Sequence, residues 1–419
     1  MIDYSDALSM VLRQTGPLGV QRVRLEDSPG CVLARPLRAR YDSPRFSQSA
    51  MDGYAVRAAD LRGAAARAPV PLELVGAAYA GRPSRAIVRR GTAVGIMTGA
   101  PLPRGADTVV MKEVCTEHDS GLIVREAARR GDNVRRRGEE YRKRALLLPA
   151  GTRITPPVIG LVAAAGHASV TVYRKPTVVL IVTGDELRRP GQSLRAGEIH
   201  DSNSPALAAA LQELGIGAGR IVHTKDRTSP IRNHLRRALS SADVLITVGG
   251  VSVGDRDLVK PILEELGVHT LFWKVAIKPG KPNYFGVYRP QGRHRPPRMT
   301  RTSHALVFGL PGNPVSALLS FHQLVKPALL KILGLKNHAP GTSVATLAKP
   351  LRKKAGRLEW VRGVTRREDG RLLVTPTAAQ ESHMLTGLAQ AECLIDCPVE
   401  QTDLRVGADV NIRLLEWRQ

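Results

Sequence analysis

Residues 177 to about 335 alternate regularly between short apolar runs and amphipathic segments, which narrows the folds open to this part of the chain. The apolar runs include residues 177–182, 243–248 and 305–310. Such β/α alternation predicts an open, mainly parallel sheet with helices on both faces. Ligands bind these sheets beyond the carboxyl ends of the strands. We therefore expect a site in the loops that follow the apolar runs.

The remainder of the 419-residue chain should form further domains, because one core seldom serves a chain of this length. Residues 43–144 combine short strands with Gly/Pro turns and predict a β-rich inserted domain. The flanking segments 1–42 and 145–176 are expected to come together. Residues 337–419 predict a small C-terminal β-barrel or sandwich. The predicted fold class is multidomain α/β plus β, with a doubly wound, mainly parallel α/β domain at 177–336.

Cysteine usage and the N-terminus exclude several classes of protein. The four cysteines fit neither a zinc-site nor a disulfide spacing, and Cys393 and Cys397 are expected to pack on one β-segment. The chain has no HExxH motif and no nucleophile elbow. Its N-terminus does not resemble a signal peptide, and no run reaches the ~20 apolar residues that a membrane span needs. These features predict a reduced, cytoplasmic location.

A net charge of +25 raises the question of a polyanionic partner. Basic residues are concentrated at 129–144 and 289–301, and aromatic residues form only 4% of the chain. Neither basic stretch is interleaved with the aromatics on which bases stack. The pattern therefore favours solvated basic surface over nucleic-acid binding.

Acidic residues and glycines follow the predicted strands. Glu186 lies in TGDEL, and Asp257 ends GGVSVGDRD (249–257), whose glycines and Ser252 suit a phosphate cradle. Magnesium prefers oxygen ligands and bridges substrate phosphates, so Glu186 and Asp257 are the candidate metal-binding carboxylates. Asp226 follows another strand of the same sheet. An ordinary surface or capping role is the alternative for Glu186 and Asp257.

Two further loops offer positive charge or free N–H groups. KPGKP (278–282) places Lys278 and Lys281 on a loop whose prolines restrict the backbone, as suits a rigid oxyanion site. An exposed proline turn is the alternative. LPGNP places Asn313 as N-cap and Pro314 as the first helical residue, which directs a positive helix end toward the ligand edge. Ordinary capping explains Asn313 equally well.

Eleven ordered motifs make nearly the whole chain similar to one known family. With them the chain resembles the molybdopterin molybdenumtransferase family, which includes the bacterial enzyme and the E domain of gephyrin-like proteins. The motifs are SAMDGYAV (49–56), IMTGAP (96–101), VRRRGE (134–139), PAGT (149–152), TGDEL (183–187), DSN (201–203), GGVSVGDRD (249–257), FWKVAIKPGKP (272–282), LPGNPVSA (310–317), GRLEWVRG (356–363) and SHM (382–384).

The resemblance implies an elongated homodimer of four-domain subunits, in which 1–42 with 145–176 serve as the linker and dimerisation domain. The α/β domain would bind molybdopterin and face the partner's β-rich domain, so that Asp52 and Thr98 reach the site from the other subunit. The matching site positions elsewhere in this chain are Glu186, Asp226, Ser252, Asp257, Lys274, Lys278, Lys281, Ser316, Arg362 and Ser382.

The implied activity is insertion of molybdate into adenylylated molybdopterin with release of AMP, the last step of molybdenum cofactor biosynthesis. Mg²⁺ would be held by Glu186, Asp257 or both. Charge-assisted donors bind tetrahedral oxyanions strongly, which suits a molybdate site. The groups proposed to hold molybdate are Lys278, Lys281, Arg362, Ser316 and Ser382.

Asp52 or Asp226 would position the attacking water or oxo group, and with Thr98 and Asp257 these acids are the candidate catalytic residues. An upstream adenylyltransferase and apo-molybdoenzymes are candidate partners. This chain departs from the family in having Ser47 and Gln48 before the SAMDGYAV motif and Glu381 before SHM. Glu381 places a negative charge beside the proposed anion site.

Three other functions remain open. The adenylyltransferase that makes the adenylylated pterin resembles the α/β domain alone and lacks a SAMDGYAV counterpart. A non-catalytic pterin-binding or scaffolding homologue would keep the fold without transfer. Nucleic-acid binding would be recognised by steeply salt-dependent binding of duplex DNA. Loss of transfer after Asp257→Ala in a folded protein would favour the enzyme.

Overall fold

The computed structural model describes residues 1–119, 121–250, 257–290 and 304–415. The helices are α1 Tyr4–Arg13, α2 Pro156–Ala164, α3 Asn203–Glu213, α4 Thr228–Leu239, α5 Val259–Glu265, α6 Pro314–Ser320, α7 Lys326–Ile332 and α8 Leu385–Ala389. Two 3₁₀ turns lie at Ala58–Leu61 and Lys112–Val114, and a π-helical segment, Phe321–Val325, joins α6 to α7. No helix within the described ranges is long and apolar enough to cross a membrane.

The first 176 residues contain twelve strands among those described. They are β1 Val20–Arg24, β2 Leu37–Arg38, β3 Gln48–Ser49, β4 Gly53–Val56, β5 Val70–Ala78, β6 Thr92–Ile96, β7 Thr108–Met111, β8 Cys115–His118, β9 Gly121–Val124, β10 Val134–Arg135, β11 Leu146–Leu148 and β12 Ser169–Tyr173. A six-stranded sheet, in the order β7-β4-β6-β5-β9-β8, forms the β-rich region. Antiparallel pairing of β1 with β12 and of β2 with β11 joins the segments on either side of it.

The α/β region is built on a six-stranded sheet in the order β16-β13-β17-β21-β20-β18. Strands β16, β13, β17 and β21 are parallel, and helices pack on both faces. This confirms the predicted doubly wound, mainly parallel fold. The strands of this region are β13 Val178–Thr183, β14 Leu187–Arg188, β15 Ile199–His200, β16 Ala218–Thr224, β17 Val244–Val248, β18 Val268–Lys274, β19 Ile277–Lys278, β20 Pro282–Tyr288 and β21 Ala305–Leu310.

Strand β20 was not anticipated from the sequence. It runs antiparallel to both of its neighbours, β18 and β21, and its centre is buried. Because β20 reverses direction between them, β18 runs parallel to β21. The KPGKP loop therefore leaves the sheet at the same edge as the loops after the parallel strands.

The C-terminal region is a small closed barrel, as predicted. Its strands are β22 Ser343–Leu347, β23 Leu351–Arg352, β24 Leu358–Glu368, β25 Arg371–Pro376, β26 Cys393–Cys397, β27 Asp403–Leu404 and β28 Asp409–Leu414. The sheet runs β24-β25-β22-β28-β26 and closes through pairing of β26 with β24. Cys393 and Cys397 are both reduced and buried on one strand in its core, which confirms their packing role.

The barrel and the α/β region are joined through backbone and side-chain contacts. Strand β19 of the α/β region pairs in parallel with β24 of the barrel, with Lys278 opposite Glu359. Helix α1 packs in the α/β core through Ala7. Its Tyr4 ring meets the barrel's Trp360 edge-on, with ring centroids 5.0 Å apart. Two separate parts of the chain, β19 and α1, therefore hold the barrel in place.

Candidate functional site

A pocket of about 630 Å³ opens at the carboxyl edge of the parallel strands. Loops after β13, β16, β17 and β21 form its walls, so four of the loops singled out in the sequence converge as predicted. KPGKP contributes only Pro282. The lining residues used below are Thr183, Glu186, Asp201, Asn203, Asp226, Gly249, Gly250, Asp257, Asn313 and His383.

The acidic side of the pocket carries Glu186, Asp226 and Asp257. Burial, followed by repulsion from Asp185 and Glu186, raises the pKa of Asp226 above its ordinary value. Among the described residues, no three His, Cys, Asp or Glu side chains are arranged to hold a metal by themselves. Magnesium is commonly held by one or two carboxylates together with substrate phosphates, and this donor set fits that arrangement.

A pair of glycines marks where the backbone must pass close to the sheet. Gly249 and Gly250 have φ values of +83° and +65°, which side chains rarely adopt. A Cβ at Gly249 would lie 2.9 Å from the Thr183 carbonyl oxygen, and one at Gly250 would lie 2.6 Å from a Val259 methyl carbon. Only glycine fits this turn. Ser252, the proposed phosphate ligand that follows, lies outside the described residues.

Asp201, in the DSN motif, connects two loops of the pocket. Its Oδ1 accepts hydrogen bonds from the backbone N–H groups of Asn203 and Ser204, both at 3.0 Å. Its Oδ2 accepts from the Ser204 hydroxyl and lies 2.7 Å from Nε2 of His223. Burial alone would raise the pKa of Asp201, but the bonds from Ser204 and His223 bring it below its ordinary value. Asp201 therefore caps helix α3 and fixes the strand end that leads to Asp226.

Asn203 connects the same motif to the LPGNP loop. Its Nδ2 donates to the Gly312 carbonyl at 2.8 Å. The sequence identified DSN only as part of the family resemblance, gave Asp201 and Asn203 no role, and indicated a structural or exposed position for His223. Their separation along the chain, with His223 some 20 residues after Asp201, left no local signal of this contact.

The side chain of Asn313 bonds to the barrel. The residue is the N-cap of α6, as predicted, but makes no capping bond with its side chain. Instead its Nδ2 donates to the Ser382 hydroxyl oxygen at 2.9 Å, and the Val315 N–H donates to the Ser382 carbonyl at 3.2 Å. The SHM loop is thereby held against the start of α6. Ser316, one turn inside the helix, is buried.

Arg362 is completely buried beneath the SHM loop. Its Nε and Nη2 donate to the Ala379 carbonyl at 3.1 and 2.7 Å, and Nη2 also donates to the Glu381 carbonyl at 3.3 Å. Nη1 has no partner among the described residues. Burial lowers the pKa of the guanidinium, while the nearby charge of Glu381 acts in the opposite direction. In this structure Arg362 supports the backbone that leads to Ser382.

The lysine loop is fixed by a buried asparagine that the sequence analysis missed. Asn283 donates through Nδ2 to the Gly280 carbonyl, and to the Ser320 hydroxyl at 2.9 Å. Lys278 forms an ion pair with Glu359, with Nζ 2.8 Å from Oε1. Lys281 is exposed.

Lys274, at the end of β18, lies over the Trp273 ring, with Nζ 4.4 Å from the ring centroid. A cation over the face of an indole ring is held by the negative face of the ring. The ammonium group of Lys274 is therefore already engaged.

Asp52 and Thr98 form a separate, exposed arrangement on the β-rich region. Asp52 Oδ1 accepts from both the backbone N–H and the hydroxyl of Thr98, each at 2.7 Å. These two bonds, with a smaller contribution from Lys112, lower the pKa of Asp52. A Cβ on Gly53 would lie 1.9 Å from the Val110 carbonyl oxygen, which explains the glycine after Asp52.

The predicted site residues thus fall into two sets. Glu186, Asp226, Asp257 and Asn313 line the pocket. The other described candidates lie outside its lining, and their roles stay predictions. They are Asp52, Thr98, Lys274, Lys278, Lys281, Ser316, Arg362 and Ser382.

Comparison with protein families matches three successive models. Residues 2–166 match the MoeA N-terminal region (domain I and II), residues 179–331 match a probable molybdopterin binding domain, and residues 344–415 match the MoeA C-terminal region (domain IV).

Similar proteins cover almost the full length. The chain is 35% identical to the molybdopterin molybdenumtransferase of Haemophilus influenzae, over 98% of each chain. It is also 35% identical to the Bacillus subtilis protein of that name, over 94% of this chain and 89% of the other. Among solved structures, the molybdopterin biosynthesis MoeA protein of Pyrococcus horikoshii matches with a TM-score of 0.79 and 28% identity, covering 99% of this chain and all of the other.

Proposed function

This chain belongs to the molybdopterin molybdenumtransferase family, and from that premise we propose that it inserts molybdate into adenylylated molybdopterin and releases AMP. The observation that carries the proposal is the pocket at the sheet edge, which three carboxylates line together with the Gly249–Gly250 turn. A pyrophosphate group needs both features, namely close backbone approach and acids that can share a cation with it.

The acids of the pocket fit a magnesium ion. Asp226 is repelled by Asp185 and Glu186, and a bound cation would relieve that repulsion. We assign the ion to Glu186 and Asp257, with Asp226 beside it. Bound Mg²⁺ would neutralise charge on the substrate phosphates. In the reaction the phosphorus–oxygen bond between the two phosphates breaks, AMP leaves, and an oxygen from water or molybdate adds to phosphorus.

Molybdate is a tetrahedral dianion and needs several donors at once. Lys278 and Lys281 lie on a loop that is held by the hydrogen bond from Asn283, on β20, to the Gly280 carbonyl. Ser382 is held at the start of α6 by Asn313. Ser316 and Arg362 complete the proposed molybdate set, with Nη1 of Arg362 as its remaining N–H donor. Lys274 stays a proposed substrate-binding residue outside that set.

A second copy of the chain would bring Asp52 and Thr98 to the pocket. Large apolar side chains are exposed beside both parts. Met51 and Met97, next to Asp52 and Thr98, are 40% and 45% exposed, while Ile199 at the pocket is 55% exposed. Burial of such groups between two copies would be favourable. We therefore propose a homodimer with a composite site, in which Asp52 positions the oxygen nucleophile.

We also propose a cytoplasmic location, receipt of the pterin from an upstream adenylyltransferase, and delivery of the product to apo-molybdoenzymes. These follow from the proposed reaction, because both its substrate and its product must pass between proteins. The non-catalytic scaffold has no specific support in the site, since the pocket acids are present.

The test is to incubate the purified protein with adenylylated molybdopterin, Mg²⁺ and molybdate. AMP release and reconstitution of a cofactor-free molybdoenzyme would be measured together. Both should depend on molybdate, and AMP release should fall on removal of Mg²⁺ with a chelator. A folded dimer that does neither would overturn the transferase and favour a pterin-binding or scaffolding role.

A further inference from the structure

Lys278 is the one proposed oxyanion ligand that forms an ion pair with an acid of another domain in the described part of the chain. Its Nζ lies 2.8 Å from Oε1 of Glu359 on barrel strand β24. The two residues are register partners where β19 pairs with β24. The Glu359 side chain is 15% exposed and that of Lys278 is 52% exposed. The carboxylate is therefore fixed by the barrel, while the lysine remains open to solvent.

We propose that Glu359 acts as an internal anion, which holds Lys278 in the substrate-free protein and is displaced from it by the tetrahedral oxyanion. Glu359 then sets the affinity for the oxyanion, because the two compete for Lys278. The inference rests on the proposed function, because it takes Lys278 as a ligand of molybdate.

The geometry makes this exchange local and inexpensive. Asn283 and Ser320 fix the backbone of the lysine loop, so exchange requires movement of the Lys278 side chain only. Lysine has a flexible four-carbon stem and three donors that can turn from one acceptor to another. Ion pairs with an exposed partner correspond to at most about fivefold in an equilibrium constant. A compact dianion bound by several donors can outcompete such a pair.

The experiment compares Glu359→Gln, Lys278→Gln and the double variant in steady-state AMP release with varied molybdate. Glu359→Gln keeps the size of the side chain, removes its charge, and should lower the KM for molybdate about twofold to fivefold with kcat unchanged. Lys278→Gln should raise the KM. In the double variant the benefit of Glu359→Gln should disappear, because the two residues act through one contact. Glu368→Gln is the matched control, since Glu368 pairs with Arg366 on the same strand at 2.7 Å and should not alter KM.

Three results would overturn the inference in an active protein. These are an unchanged or raised KM in Glu359→Gln, an unchanged KM in Lys278→Gln, and an equal gain from Glu359→Gln with and without Lys278. If the wild type releases no AMP, the proposed function fails instead, and equilibrium dialysis with molybdate alone then decides. Tighter binding by Glu359→Gln that is lost in the double variant would still support the exchange, and equal binding by all four proteins would overturn it.

Discussion

Asp226 in the α/β domain and Asp52 in the β-rich domain are held in opposite ways. Asp226 lies among other acids, and burial together with Asp185 and Glu186 raises its pKa. Asp52 faces two donors of Thr98, which lower its pKa. The surroundings therefore disfavour the ionised form of Asp226 and favour the ionised form of Asp52.

This difference suits the two aspartates to different roles in the reaction. A carboxylate repelled by its neighbours gains most from a cation, so Asp226 is suited to a site completed by metal and phosphate. A carboxylate already bonded to a neighbouring N–H and hydroxyl keeps a fixed orientation and stays ionised. Asp52 is therefore suited to accept one further hydrogen bond from a nucleophile in a defined direction.

The largest effect is expected from Asp226→Asn. Removing the charge should lower AMP release about 100-fold or more, in the range found for groups that act directly in catalysis. The melting temperature should stay the same or rise, because the variant relieves repulsion from Asp185 and Glu186. Calorimetry and the AMP assay measure the two effects. A fall in both would mean that Asp226 stabilises the fold, and the contrast with Asp52 would be lost.

A smaller loss, about 10-fold to 100-fold, is expected for Asp52→Asn, whose amide oxygen can still accept from Thr98. Mixing the Asp52→Asn variant with the Asp226→Asn variant tests whether the site is shared between subunits. If each site takes Asp52 from one subunit and Asp226 from the other, a mixed dimer carries one intact site.

Random exchange of subunits between the two variants should then restore about a quarter of wild-type activity. Each variant mixed with itself serves as the control. Absence of recovery, with exchange verified by mass spectrometry, would place both aspartates in one subunit's site or remove one of them from it.

The smallest effect concerns pH. Repulsion from Asp185 contributes to the raised pKa of Asp226, so Asp185→Asn should lower that pKa. Asp226 would then stay ionised to lower pH, and the acid limb of kcat/KM should move to lower pH. Asp185 is exposed and does not line the pocket, so the activity at neutral pH should change little. If the acid limb of kcat/KM does not move in Asp185→Asn, the limb reports the titration of a group other than Asp226.

The directions of the two pKa shifts also determine how the stability of the fold depends on pH. A carboxyl group whose pKa is raised by folding destabilises the folded state at neutral pH, and the cost disappears as pH falls through its folded pKa. Asp185→Asn should therefore stabilise the protein at pH 7 more than at pH 4. Asp52 has the opposite sign, so Asp52→Asn should not stabilise at pH 7.

The order of strands and helices could be predicted because parallel strands buried on both faces read as continuous apolar runs. Strand β20 was missed because it begins at Pro282, the last residue of KPGKP, and this motif is typical of a loop. The start of helix α3 was not anticipated either, because it begins at Asn203 and the capping carboxylate comes from Asp201, which precedes the helix.

The loops of the site could be predicted from their place after strands, but the contacts between them could not. The contacts join residues that are 69 to 109 positions apart in the sequence. They are Asn203 with Gly312, Asn313 with Ser382, and Lys278 with Glu359. Nothing in a local pattern encodes such a pair. The expectation that Arg362 binds the anion came from the family resemblance, and no local pattern indicated that its Nε and Nη2 donate to backbone carbonyls.

The pairing of β19 with β24 has a consequence for how this architecture could be divided. Because a strand that carries Lys278 is completed by backbone hydrogen bonds to the barrel, the boundary between the two domains passes through a shared ladder. A recombinant α/β fragment would leave that strand edge unpaired. An exchange of barrels between relatives would succeed only if the incoming barrel brought a strand in the same register. In this chain the α/β domain and the barrel are therefore one structural unit at this ladder.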